Sequence, residues 1–93
     1  MQLKTNEIGG IIAALNEKDG SPRKYQTIEL PDVYGILKKI KEITKDGNFI
    51  PEGEFELEFN TSEKKFILDK IDDREWMAAD AEVILNLKEK LEK

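Results

Sequence analysis

The chain has 93 residues, with 15 Lys and Arg against 20 Asp and Glu, a net charge of −5, and neither histidine nor cysteine. Without those two side chains there is no Ser-His-Asp or Cys-His nucleophile, no disulfide framework and no standard structural zinc site. The length sets a single domain over residues 1–93. No stretch approaches the roughly 18 apolar residues of a membrane span, and Met1–Asn6 lacks the layout of a signal peptide, so a cytoplasmic protein with no membrane partner is expected.

In chain order, Ile8, Ile11, Ile12 and Leu15 fall on one face of a helix, with Thr5 or Asn6 as N-cap and Glu7 near the positive helix end. Gly9 and Gly10 each weaken that helix by about 1 kcal/mol, which points to close approach of another backbone. Asp19-Gly20-Ser21-Pro22 is a turn. Lys24–Leu30 then carries β-branched and aromatic residues, with Ile28 and Leu30 two apart, and reads as a strand.

Pro31-Asp32 opens an amphipathic helix whose inner stripe is Val33, Ile36, Leu37, Ile40 and Ile43. Lys38, Lys39, Lys41 and Glu42 lie outside it, Lys45 suits the helix end, and Asp46-Gly47 is the stop. Asn48-Phe49-Ile50 drops an apolar side chain onto the core edge. After Pro51-Glu52-Gly53 comes an unbroken alternation, Glu54 to Phe59. Its period of two puts Phe55, Leu57 and Phe59 inward and Glu54, Glu56 and Glu58 outward. Lys24–Leu30 is the expected partner strand, and Leu3 offers a short third.

Asn60-Thr61-Ser62-Glu63 is a capping box before a helix with Phe66, Ile67 and Ile71 inward and Leu68 flanking. Asp72-Asp73-Arg74-Glu75 breaks it, and a last helix runs from about Met77 to Leu91 with Val83, Ile84, Leu87 and Leu91 as its seam. The expectation is an α+β fold. It consists of a small antiparallel sheet of two or three strands packed on about four helices, in the order α-β-α-β-α-α. No internal repeat is visible.

Residues 1–50 carry eight Lys and Arg against seven Asp and Glu, while residues 51–93 carry seven against thirteen. An acidic second half disfavours nucleic-acid binding, which needs clustered Lys and Arg. The lysines of the middle helix lack the Arg, Asn or Gln that read base edges. Asp69, Asp72, Asp73 and Glu75 do not follow calcium-loop order and are read chiefly as caps of the last helix. Neither a metal nor a cofactor is expected. Glu54, Glu56 and Glu58 form a solvated ladder, or a contact surface for a basic partner. Trp76 is a core plug or, with Met77, an anchor for a protein partner. The seam of the last helix packs internally or against a second copy, which would make a homodimer.

The opening Met1–Ile8 with Ala13–Glu17, and the closing Trp76–Glu82 with Leu85–Leu91, resemble segments of small phage and prophage proteins. The resemblance implies a phage-derived accessory or assembly protein and transfers no site residue. The reading is a non-enzymatic protein-interaction module. The alternatives are an acidic inhibitor that imitates nucleic acid and a carboxylate-dependent enzyme.

Overall fold

The computed structural model describes residues 1–17, 21–44 and 50–93. They form β1 (Gln2–Lys4), α1 (Thr5–Leu15), α2 (Leu30–Ile43), β2 (Glu54–Glu56), α3 (Thr61–Asp72) and α4 (Ala81–Leu91), an α+β fold in the order β-α-α-β-α-α. Short 3₁₀ turns, Thr27–Glu29 and Ala78–Asp80, lead into α2 and α4. The expected turn residues Asp19 and Gly20, the helix stop at Lys45, Asp46 and Gly47, and Asn48-Phe49 lie outside the described residues.

The alternating hexapeptide does pair, but with the beginning of the chain. β1 and β2 are antiparallel, with Leu3 opposite Phe55. Hydrogen bonds extend the ladder to Met1–Leu57 at one end and to Thr5–Gly53 at the other. Leu57 and Phe59 are buried, Phe55 is half-buried, and Glu54, Glu56 and Glu58 are exposed. The period of two is real, though the ladder ends before Phe59. Gly53, with φ of 142°, turns the chain into β2 while Thr5 Oγ1 donates to Pro51 O at 2.8 Å. Thr5 thus ties down the entry to β2, and Lys4 is the N-cap of α1 in place of Thr5 or Asn6.

Lys24–Leu30 is not a strand. Glu29 Oε1 accepts the Gln26 N–H at 3.0 Å, a local closure that bends the segment into its 3₁₀ turn, and α2 starts at Leu30 with Pro31 in its first turn. The Tyr25 hydroxyl donates to Leu15 O at 2.6 Å and holds this stretch at the end of α1, away from the sheet.

One apolar cluster draws on β1, the residues after β2 and all four helices, with Leu3, Ile8, Ile11, Ile36, Ile67 and Leu87 fully enclosed. Burial of each such side chain contributes about 1.5–3 kcal/mol. The seam Ile84, Leu87 and Leu91 packs into it through α1 and α3. Gly10 permits this: a Cβ there would stand 3.1 Å from Ile84 Cδ1, so the close approach is to α4 side chains. Gly9 faces open space.

The order strand, helix, 3₁₀ turn, helix occurs twice, contrary to the impression from the sequence. Corresponding positions play corresponding parts. Glu7 and Glu63 are the buried third residues of α1 and α3. Glu7 Oε1 accepts the Lys4 N–H and the Lys90 ammonium, each at 2.7 Å. Glu63 Oε1 accepts the Asn60 N–H at 2.9 Å and the Lys39 ammonium. Each lysine comes from the second helix of the opposite half. Val33, Ile36 and Ile40 of α2 match Ile84, Leu87 and Leu91 of α4, all buried. Tyr25 on Leu15 O matches Trp76 Nε1 on Ile71 O, at 3.0 Å. Arg74 crosses to Ala13 O, and Arg23 crosses to Asp73.

Two predictions follow from this packing. Gly9→Ala should raise stability by about 1 kcal/mol through helix propensity alone, whereas Gly10→Ala should gain less or lose as Ile84 is pushed aside. Equal gains at both positions in urea denaturation would refute the close contact. Lys90→Met and Lys39→Met should each destabilise by about 3 kcal/mol, because each strands a buried carboxylate. A loss at only one of them would show that the two halves are not equivalent.

Candidate functional site

Once its inner face is buried, α2 keeps a second apolar stripe. Leu30, Tyr34 and Leu37 recur at i, i+4 and i+7 and are 48%, 69% and 44% exposed, and Ile28 in the preceding turn is 83% exposed. Isolated exposed apolar residues are ordinary, but a run along one helix face is the pattern of an interaction site. Lys38 and Lys41 continue the stripe towards the helix end, and among the described residues neither is in an ion pair.

The helix is fixed from its other sides. Val33, Ile36 and Ile40 enter the core, and Ser62 Oγ donates to both Asp32 carboxylate oxygens at 2.9 Å, which pins the first turn to the start of α3. Lys39 reaches Glu63, and a Cβ on Gly35 would collide with the same carboxylate. The stripe is therefore carried on a rigid element. Sequence reading missed it by placing Ile28 and Leu30 in a strand and Leu37 inside the core. Leu30, Tyr34 and Leu37 do share helical spacing, and that was the available signal.

Trp76 is half-buried against the core, its indole N–H is committed to Ile71 O, and Arg74 stacks over its ring at 5.0 Å. Met77 beside it is 75% exposed. The structure therefore does not bring the two together on one open surface. Asp72 pairs with Lys88 at 2.8 Å and Asp73 faces Arg23, while the residue preceding α4 is Asp80, so the acidic junction bridges elements where caps were expected.

Of the acidic ladder, Glu54 has no ion pair among the described residues. Glu56 and Glu58 hold the Met1 ammonium at 2.8 and 2.9 Å. The hydrogen bonds that this ammonium donates to Glu56 and then to Glu58 raise its pKa above the ordinary 8.0, and the ammonium in turn holds Glu58 below the ordinary 4.5. The clefts are open grooves. One, of about 530 Å³, is lined by Lys4, Thr5, Asn6, Glu52, Gly53 and Glu54. Among the described residues no three carboxylates converge as metal ligands, and no helix is long and apolar enough to cross a membrane.

Comparison with family models, with curated proteins and with solved structures finds no match for this chain.

The Met1 cluster has a definite pH signature in the 93-residue chain. An ammonium whose pKa is raised on folding contributes stability that is complete below pH 8.0 and lost as pH rises through the raised value. Glu58, with its pKa lowered, contributes above 4.5 and loses its share as pH falls through the depressed value. Thermal midpoints should therefore decline on both sides, and acetylation of the Met1 amine should remove the alkaline decline that begins near pH 8. Identical alkaline limbs in the two forms would refute the contribution.

Proposed function

We propose that this chain is a non-enzymatic protein-interaction or assembly module that docks its partner on the exposed face of α2. The run Leu30, Tyr34 and Leu37 along one face of α2, with Ile28 exposed in the turn before it, carries this reading. Such a face loses water on docking at about 25 cal/mol per Å² of apolar surface, and a rigid helix gives up little entropy in presenting it. The phage or prophage affiliation stays a proposal that rests on the terminal segments alone.

The acidic-inhibitor reading would use Glu54, Glu56 and Glu58, two of which already neutralise the Met1 ammonium. For the two-carboxylate enzyme, the buried carboxylates Glu7 and Glu63 are each engaged by a helix N-terminus and a lysine. Both observations favour the interaction module.

A photo-crosslinking residue in place of Tyr34, introduced in cells, should give discrete protein adducts. Leu30→Glu/Leu37→Glu should abolish them, and the same probe in place of Glu52 should give none. Absence of adducts at position 34, or adducts that persist in the double variant, would overturn the docking face.

A further inference from the structure

We propose that the occupant of the α2 face is the α4 face of a second copy of this chain, an inference that rests on the docking-face reading above. The internal repeat allows the two faces to be compared position by position. At the inner positions α2 and α4 agree: Val33 with Ile84, Ile36 with Leu87, Lys39 with Lys90, Ile40 with Leu91. At the outer positions they diverge, and apart from Leu37, whose counterpart Lys88 is held by Asp72, they do so in a complementary way. Ile28 and Leu30 stand where the other half has Ala79 and Ala81, so bulk faces small residues. Tyr34 corresponds to Leu85, which is itself 64% exposed, giving an apolar centre on both helices. Lys38 corresponds to Glu89 and Lys41 to Glu92, opposite charges at the same level of the two helices.

Laid side by side in the same direction, α2 of one molecule and α4 of another bring all these pairs into register. Tyr34 meets Leu85, Leu30 meets the space over Ala81, and Lys38 and Lys41 meet Glu89 and Glu92. None of these four charged residues is in an ion pair within its own chain among the described residues. In the same parallel arrangement like faces do not fit: two α2 faces would oppose lysine to lysine, and two α4 faces glutamate to glutamate, a juxtaposition that disfavours association. The contact is thus heterologous: a molecule that offers α4 to one neighbour can offer α2 to another, and the assembly grows head to tail, as a ring where the rotation between neighbours closes and as a filament where it does not.

Sedimentation equilibrium over a concentration series tests this directly. The wild-type chain should gain mass beyond a dimer as concentration rises, and added salt should weaken the association. Lys38→Glu/Lys41→Glu alone and Glu89→Lys/Glu92→Lys alone should each associate about tenfold or more less tightly. An equimolar mixture of the two variants should recover association, since each then meets the opposite charge. Far-UV circular dichroism checks the fold, and Lys38→Gln/Lys41→Gln, which removes charge without reversing it, serves should a reversal unfold the chain. A wild type that stays monomeric up to about 1 mM, reversals without effect, or a folded mixture that fails to recover would each overturn the proposal. If the wild type stays monomeric while Tyr34 crosslinks still capture another protein, the second copy is refuted and the docking face stands. If association persists in Leu30→Glu/Leu37→Glu, the docking face falls with it.

Discussion

A carboxylate in the first turn of a buried helix needs its charge answered, and this fold answers it twice from across the molecule. Glu7 and Glu63 each close the start of their own helix, and each receives an ammonium from the second helix of the opposite half. The carboxylates are almost wholly enclosed, while the lysine side chains stay about a third exposed. Such a bridge specifies arrangement more than it supplies net stability, because desolvation offsets much of the attraction. The crossing arginines and the two aromatic donors at the ends of α1 and α3 follow the same reciprocal plan. The sheet does so too, since β1 pairs with β2.

Much of this was legible in the sequence. The Glu54–Phe59 alternation, the Asn60–Glu63 capping box and, Val83 apart, the seam of α4 appear where periodicity and capping chemistry put them, because each is a local signal. What could not be read depends on distant partners. Leu3 suggests a short strand, and β1 forms there, but its direct pairing with Phe55 depends on a segment about fifty residues away. Ile28 and Leu30 satisfy the strand pattern, yet the Gln26–Glu29 closure and Pro31 outweigh it. The repeat escaped notice because its shared residues are scattered and its connections differ. Ten residues separate Leu15 from Tyr25, whereas five separate Ile71 from Trp76. The candidate site was the least legible part, since an exposed stripe beside a buried one looks like a single wide core face.

The two halves share a scaffold and differ in what they present. The inner positions are held by packing and by the lysine–glutamate exchange, so they leave little room for change. The outer positions are largely open to solvent. There one helix carries bulk and positive charge and its counterpart small residues and negative charge. A single chain thereby displays two unlike faces on like frames, which is the minimum that a directional contact requires.

The pairing of the first residues with the middle of the chain also sets an order of events. During synthesis, β1 and α1 emerge before anything they bind: β1 waits for Glu54–Glu56, and Glu7 waits for Lys90. The amino-terminal half therefore leaves the ribosome with an unpaired strand edge and an unanswered carboxylate. Contacts of such long sequence separation slow folding, because loop closure must come before they reward it. α4, made well after α1, is the helix that completes it.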